Sequence, residues 1–576
     1  MRIYKSNVPD QPIAEESIFT NLFVTRFNQY PTTHPAYIDP SSGFTITRGE
    51  LKQLALSAAW GLRHEYGKLS GIPLSRGDTV MIFSPNSIAW PVMLHGIFAA
   101  GLRATPANVA YTAREVEHQW LDSGAKIAYV EPTLIPVVLE TLKLLGYSPA
   151  EAKKRIIAID WHVPHDKKSV EGFIKMTDIV GKGSLEEEEK FTGKQVDETV
   201  LLCYSSGTTG KPKGVESTHR NVVALIAIAD PFYPVTYHDK DVLLGFVPCF
   251  HIYGSVKLMQ FAFFRGVPVV IMPKFDPIEF CKAIERYKVT QSLIVPPVCL
   301  AIIHHPAFSK YNLKSLRFLI SGAAPLSGSL VKATVAKLKS VGATVVISQG
   351  YGLTETTPTS HVLDLEHYLS KLGSVGRILP NLEARLVRED GVDVEEGQPG
   401  ELWLRGPSVM KGYLNNPAAN ANAFTKDRWF KTGDVATRDP EGFFYIVDRQ
   451  KELIKFKGFQ VPPAELESVL LTHPEIVDAA VIGVYSDLDA TELPRAYIVH
   501  AKGLKGEEAK KFAEGVKGWM QKRVANHKYL RGGVVVIDAI PKSAAGKIIR
   551  RELRDRAKEE LKKEPLVSIR SVKAKL

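Results

Sequence analysis

Between about residues 242 and 350 the chain alternates short apolar runs with amphipathic stretches. LLGFVP (243–248), PVVIM (268–272), SLIV (292–295), RFLI (317–320) and TVVI (344–347) read as strands. PIEFCKAIERY (277–287) and GSLVKATVAKLKS (328–340) carry apolar residues at helical spacing and read as helices between them. Such alternation predicts a mostly parallel sheet covered by helices, with ligands bound at loops leaving the carboxyl ends of the strands. The charged, glycine-containing stretch 181–198 predicts a surface connection. After residue 380 the pattern changes to short strands and turns (EARLVREDGVDVEEGQPGELWLRG), the signature of a small β-rich subdomain. A last unit begins near 450. It contains strand-like 477–485, 495–500 and 534–538, and a helix with Ala509, Phe512, Val516, Trp519 and Val524 on one side. The predicted fold is therefore α/β: a large N-terminal domain (1–449) of mostly parallel sheets plus a β-rich subdomain, a small α+β C-terminal domain (450–560), and a Lys/Glu-rich tail (561–576).

Composition narrows the class. With 45% hydrophobic and 23% charged residues, the 576-residue chain has an ordinary globular balance. No apolar run reaches the ~18 residues of a membrane span; the nearest, Phe261 to Met272, is cut by Arg265. The N-terminus lacks the apolar segment of a secretory signal. Cys203, Cys249, Cys281 and Cys299 are far apart and form no metal-type pair, which predicts reduced, buried thiols in an intracellular protein. The net charge of +11 suits nucleic acid, an anionic surface or phosphate-rich ligands. The lysines are scattered and no recognition motif accompanies them, so no nucleic-acid partner is expected.

The chemistry concentrates in a few segments. Tyr204 to Val215, YSSGTTGKPKGV, follows the apolar run VLLC. It carries the hydroxyls of Ser205, Ser206, Thr208 and Thr209, glycines including Gly207 and Gly210, and the cations Lys211 and Lys213. Backbone N–H groups and hydroxyls of this density cradle phosphate oxygens, and glycine lets the backbone come close. It is not a Walker loop, since no G-x-x-x-x-G-K-[ST] match occurs. In QGYGLTET (349–356), Glu355 follows a Gly-rich turn, where a carboxylate can hold Mg²⁺ against phosphate oxygens. Tyr351 can stack on an adenine and Gln349 can meet its edge, with Gly350 between them. The small residues of SGAAPL, Ala323 among them, let a flat base lie against backbone. Asp434 can take two ribose hydroxyls, and Arg449 can add a ribose or phosphate contact.

The phosphate-binding segment resembles the signature of the adenylate-forming (AMP-binding) superfamily of acyl-CoA synthetases, adenylation domains and luciferases. PCFHIYG (248–254), SGAAPL (321–326), QGYGLTET (349–356), GELWLRG (400–406), WFKTGDVA (429–436), DRQKELIKFKGFQVPPAELE (448–467) and PKSAAGKIIR (541–550) agree with it in order. The resemblance spans roughly residues 20–555, and the branch it is most similar to is that of 4-coumarate–CoA ligase.

The resemblance implies an acid–CoA ligase using ATP, Mg²⁺ and coenzyme A. It implies Glu355 at the metal, Thr354 at a phosphate, and Lys547 between the acid's carboxylate and the α-phosphate. Lys455, Lys457, Gly458 and Gln460 would serve the later attack by the coenzyme A thiol, Gly458 allowing the pantetheine arm to approach. One site does not easily hold Lys547 and the 455–460 face together. The resemblance therefore implies a mobile C-terminal domain that rotates at a hinge on Lys451.

His251 falls on the position that gates the acyl tunnel in this family. The stretch CFHIYGSVKL has no acidic residue to pair with an α-ammonium, which predicts an acid without an α-amino group. Tyr253, Lys257, His304, Ala323, Pro358 and Thr359 fall on acyl-pocket positions of the 4-coumarate branch. Lys257, Thr359 and His304 depart from it, standing where a small polar residue, an aliphatic residue and a lysine are usual. Lys257 either accepts a second carboxylate or polar tail of the substrate or snorkels to solvent. Aryl, arylacetic, hydroxycinnamic and medium-chain acids all fit. A carrier-loading adenylation enzyme and a luciferase-like oxygenase are the alternatives. The terminal Ala574-Lys575-Leu576 is similar to a peroxisomal address, which implies an import receptor as partner and the peroxisome, rather than the cytosol, as location.

Overall fold

The computed structural model describes residues 1–566 apart from 206–211, 235, 238, 457–458, 487–488, 490, 544–545 and 564–565. The stretch that reads as alternating strands and helices forms one sheet. Its parallel strands run in the order Val346–Tyr351, Phe318–Ser321, Gln291–Ile294, Leu243–Gly245, Val269–Ile271 and Pro35–Ile38, with antiparallel strands at both edges. The helices between them lie at their sequence-predicted bounds, Pro277–Tyr287 and Gly328–Ser340, because their caps are written into the chain. Asp276 accepts from the N–H groups of Ile278 and Glu279, with Pro277 next, and Ser327 accepts from Leu330 N–H.

A second sheet of eight strands carries Thr199–Ser205 beside Lys213–Thr218, and a third, antiparallel sheet carries Phe430–Arg438 beside Phe444–Arg449. Helices Arg48–Trp60 and Trp90–Ala99 cross closely at Gly96, where a Cβ would lie 2.6 Å from that of Ala58. Apolar packing changes hands after residue 444. One core collects residues up to Phe444; a separate one runs from Ile454 to Ala557 around the sheet Ile476–Ser486, Thr491–His500 and Gly533–Val536.

Three expectations need correction. The strand at 243–248 ends at Gly245, after which the buried Phe246 and Val247 leave the ladder toward the turn at Pro248. The strand expected at 344–347 is Val346–Tyr351, because pairing with Phe318 begins only at Val346. The stretch 181–198 is not a free surface connection. Glu188, Phe191 and Val196 are buried, and Glu188 accepts from Thr20 Oγ1 at 2.7 Å and Lys190 Nζ at 2.9 Å. All four cysteines are free thiols in the interior. No helix among the described residues is long and apolar enough to cross a membrane.

Candidate active site

The candidate residues meet where strands from the three sheets of the large unit converge. Ser205 is the last residue of its strand, and its hydroxyl donates to Glu355 Oε1 at 3.1 Å. Tyr413 OH donates to the same oxygen at 2.9 Å. Glu355 itself sits in the short 3-10 turn Thr354–Thr356, buried to 7% exposure. That turn is anchored by Gly352, where a Cβ would fall 1.7 Å from the Pro358 carbonyl oxygen. Glycine is required there by close approach rather than by backbone angle. Thr357 and Ala323, neither of them glycine, hold positive φ at 59° and 67° in the loops after Tyr351 and Ser321. Strain of this kind at the rim of a sheet marks a surface shaped for a ligand.

Tyr351 ends its strand with its hydroxyl donating to Asp434 Oδ2 at 2.6 Å, and Arg449 Nε lies 3.3 Å from Asp434 Oδ1. Burial and then the Asp434 charge push the phenol's pKa well above its ordinary value, so it stays a donor. Asp434 and Arg449 are register partners in adjacent strands, which fixes the pair before any ligand arrives. Gln349 is buried beside Ser321 on the neighbouring strand, and Gly350 faces the antiparallel strand His361–Val362. Lys213 Nζ lies over the Tyr413 ring at 4.8 Å. Ser206, Gly207, Thr208, Thr209 and Gly210 lie outside the described residues.

The C-terminal unit contributes Lys547. Gly546, at φ 77°, leads its loop against Val295 and Pro297 of the large unit, and a Cβ there would lie 3.2 Å from Val295. The loop is pinned by Ser543, whose Oγ accepts from Lys547 N–H at 3.2 Å. Burial and the neighbouring Arg449 lower the Lys547 pKa to about 8, while Asp434, Glu355 and Glu452 hold its charge. Lys547 is therefore an ammonium at neutral pH, set among two carboxylates and a guanidinium of the other unit. His251 caps the helix Ile252–Val256, its Nδ1 accepting from Tyr253 N–H at 3.2 Å. Burial and the Lys547 charge drop its pKa to about 4. The neutral imidazole thus keeps its proton on Nε2.

The 455–460 face is elsewhere. Lys455 and Gln460 are exposed on the ribbon Ile454–Phe456/Phe459–Val461, with Lys455 N–H bound to Glu492. Lys457 and Gly458 lie outside the described residues. The structure brings Lys547 to the site and not this face. Lys451 is exposed in the turn between the units.

Among the acyl-pocket positions, Tyr253 OH donates to the Ile320 carbonyl at 3.0 Å and its ring fronts Gly322. Pro358 and Thr359 are buried against Gly352 and Gly350. Lys257 is only 2% exposed, so it does not snorkel. His304 ends the helix Pro296–His304 with its side chain exposed.

Sequence reasoning missed Tyr413 and a cluster flanking the inter-unit turn. Asp448 accepts from Ala464 N–H at 3.1 Å, Glu467 pairs with Arg550 at 2.6 Å, and Glu452 pairs with Arg554. Burial penalises the Arg550 charge, and Glu467, Asp448 and Glu452 outweigh it. The paired Glu452 and Arg554 lie 102 positions apart, so no local motif announces them. Among the described residues no three His, Cys, Asp or Glu side chains form a metal cage. The single carboxylate of Glu355 is the donor set expected of Mg²⁺ held mainly by nucleotide phosphates.

Comparison with known proteins adds independent findings. Residues 23–414 match the family model of the AMP-binding enzymes, and 465–547 that of the AMP-binding enzyme C-terminal domain. The chain is 36% identical over 513 residues to a probable 4-coumarate–CoA ligase 1 of Dictyostelium discoideum, covering 84% of this chain and 87% of that one. It is 34% identical over 560 residues to 4-coumarate-CoA ligase 1 of Narcissus pseudonarcissus, covering 96% of each. Among solved structures, o-succinylbenzoate CoA synthetase of Bacillus subtilis with its acyl-adenylate intermediate superposes at a TM-score of 0.74, 27% identity, and 93% and 98% coverage of the two chains. ATP-bound MatB from Rhodopseudomonas palustris superposes at 0.77, with 26% identity and 94% and 99% coverage.

Proposed function

This chain belongs to the AMP-binding enzyme family, and on that premise we propose that it is an acid–coenzyme A ligase that works through an acyl-adenylate. The observation that carries the reading is the convergence of Lys547, from the C-terminal unit, on Glu355, Asp434, Arg449 and His251 of the large unit. In the first half-reaction a carboxylate oxygen attacks the α-phosphorus of ATP. A new P–O bond forms, and the bond to pyrophosphate breaks. Two anions must meet, and the buried ammonium of Lys547 offsets their repulsion in a poorly screened site. Asp434 receives the ribose hydroxyls, oriented by Tyr351 OH and Arg449. Glu355, fixed by Ser205 and Tyr413, would hold Mg²⁺, which supplies charge neutralisation at the phosphates when bound. The neutral His251 closes the acyl side without taking a proton.

In the second half-reaction the coenzyme A sulfur attacks the acyl carbonyl and AMP leaves. Lys455 and Gln460 are exposed and make none of the contacts described at the site, so on this reading the step uses a C-terminal unit turned about Lys451, with the 455–460 face brought to the acyl-adenylate. The acid lacks an α-amino group, since the wall from Phe250 to Leu258 offers no carboxylate. The names of the relatives favour aryl or hydroxycinnamic acids. The tripeptide Ala574-Lys575-Leu576 lies outside the described residues; it is proposed as the address read by the peroxisomal import receptor. Appending one residue after Leu576 is expected to leave the protein in the cytosol, and continued import would refute that address. The ligase mechanism is tested with Lys547→Ala. Adenylation should fall about 10²- to 10³-fold, while thioester formation from a presynthesised acyl-adenylate persists. Loss of the second step with the first intact would reverse the assignment.

A further inference from the structure

Lys257 is a lysine buried inside the largest core, with no hydrogen-bond partner for its Nζ among the described residues. It begins a wide helical turn, Lys257–Phe261, inserted between the α-helical segments Ile252–Val256 and Ala262–Phe264. Turns of this kind are energetically poor and recur at functional sites. Within this turn the Met259 carbonyl accepts from Tyr37 OH at 2.7 Å and from His95 Nε2 at 3.0 Å. Two side chains from elsewhere in the core thus brace the wide turn, and Lys257 on it is buried.

What faces Lys257 is a cavity of about 20 Å³, lined by Tyr233, Phe261, Arg265, Gln291 and Leu293 among others. That volume holds one water-sized group. The ammonium rests on the Phe261 ring at 4.4 Å and the Tyr233 ring at 5.0 Å. The charges that act on it are Arg265, on its own helical run, and Asp230, from the end of the helix His219–Ala229. Asp230 is already paired with Arg265 at 3.0 Å, so the lysine is the uncompensated charge. Tyr253, on the acyl wall, precedes Lys257 by four residues and shares its helix face, one turn nearer the site. Six residues separate Lys257 from His251, roughly 9 Å along a helix.

We propose that Lys257 Nζ receives a second carboxylate at the far end of the acyl substrate, so that the enzyme selects dicarboxylic acids of medium length over their monocarboxylic counterparts. This deepens the ligase reading and rests on it. The reactive carboxylate would sit by Lys547 and His251, the chain along Tyr253, and the distal carboxylate against Lys257 and Arg265. An apolar chain end would instead leave the ammonium buried without a counter-charge, the arrangement that costs most. Burial holds the Lys257 pKa down to about 7, with Arg265 adding to the effect and Asp230 opposing it. A bound carboxylate restores the ammonium, so diacid binding takes up a proton above that pH while monoacid binding does not.

The test compares acids matched except for a terminal carboxylate or methyl: adipic to sebacic acids with hexanoic to decanoic acids, and 4-carboxycinnamic with 4-methylcinnamic acid. Calorimetry in two buffers of different ionisation enthalpy reads affinity and proton uptake without turnover; AMP formation reads kcat/KM. The wild type should favour the diacid of each productive pair, with kcat/KM falling about tenfold per pH unit above ~7. Lys257→Met should cut the diacid's kcat/KM about 10- to 100-fold, mainly through KM, and spare the monoacid. Lys257→Arg should keep the preference and lose the pH dependence. Equal affinity within each pair, no proton uptake, or equal losses in Lys257→Met would overturn the proposal, whether or not the acids turn over. The ligase reading itself falls on a different result, acid binding without any coenzyme A-dependent AMP.

Discussion

Replacing Lys257 with methionine removes a charge from the interior while nearly conserving side-chain length. The folded pKa of about 7, against 10.5 for the free group, means that the fold disfavours the ammonium. The penalty is fully present below pH 7, where the lysine must be buried charged. It fades between pH 7 and 10.5 as the unfolded chain also loses the proton. The shift corresponds to about 5 kcal/mol at the low-pH limit. Methionine forfeits the contacts of the ammonium with Phe261 and Tyr233, worth about 2 kcal/mol when desolvated. Lys257→Met should therefore stabilise the large unit by about 3 kcal/mol at pH 6. In a unit of this size that raises Tm by roughly 3–4 °C. At pH 9.5 the folded lysine is neutral, with no cation–ring contact left to lose, and the gain should shrink to about 1 kcal/mol. Thermal melts of both proteins at matched scan rates from pH 6 to 9.5 check this. A variant less stable than the wild type at pH 6, or a difference independent of pH, would show that Lys257 is already compensated in the free protein. The reasoning would then fail.

Other outcomes follow from the site. The adenylation half-reaction should lose rate above pH ~8 as Lys547 gives up its proton, about tenfold per pH unit in kcat/KM; Lys547→Arg should extend the plateau to higher pH. Tyr413→Phe leaves the buried Glu355 with one hydroxyl donor fewer and should lower adenylation about tenfold while raising the Mg²⁺ concentration needed for half-maximal rate. Asp448→Ala frees the Ala464 amide and exposes Arg550 to an unbalanced cluster. It should slow adenylation and leave thioester formation from presynthesised acyl-adenylate unchanged, as read by the two half-reactions assayed separately.

Much of this was legible along the chain because local chemistry fixed it. Asp276 and Ser327 cap their helices, so bounds drawn from apolar spacing coincide with the structure. The motifs around Glu355 and Lys547 are short and sit in a tight turn and a pinned loop, while Asp434 lies mid-strand opposite Arg449, and the charges of Asp434 and Glu355 both act on Lys547. Other features escape because they join distant residues. Glu188 looks like one more solvated charge in a run of four glutamates, yet Thr20 and Lys190 bury it. Tyr413 reaches Glu355 only because Gly412–Tyr413 pairs with the strand Lys213–Thr218. Lys257 admitted two readings in the sequence, since a lysine's stem can lead either way. In the fold it is buried, on the wide turn that Tyr37 and His95 brace. His304 fits a pocket position by order in the chain; the helix ends there and its side chain is exposed.

The most direct test of the ligase mechanism is AMP release from ATP and Mg²⁺ against aryl, arylacetic, hydroxycinnamic, fatty and dicarboxylic acids, with and without coenzyme A, with the thioester detected by mass. AMP and acyl-coenzyme A formed in equal amounts, and only when one acid class and coenzyme A are both present, is the expected result. Acid-dependent pyrophosphate exchange that coenzyme A does not drain into thioester would contradict it and point to a protein-bound acceptor.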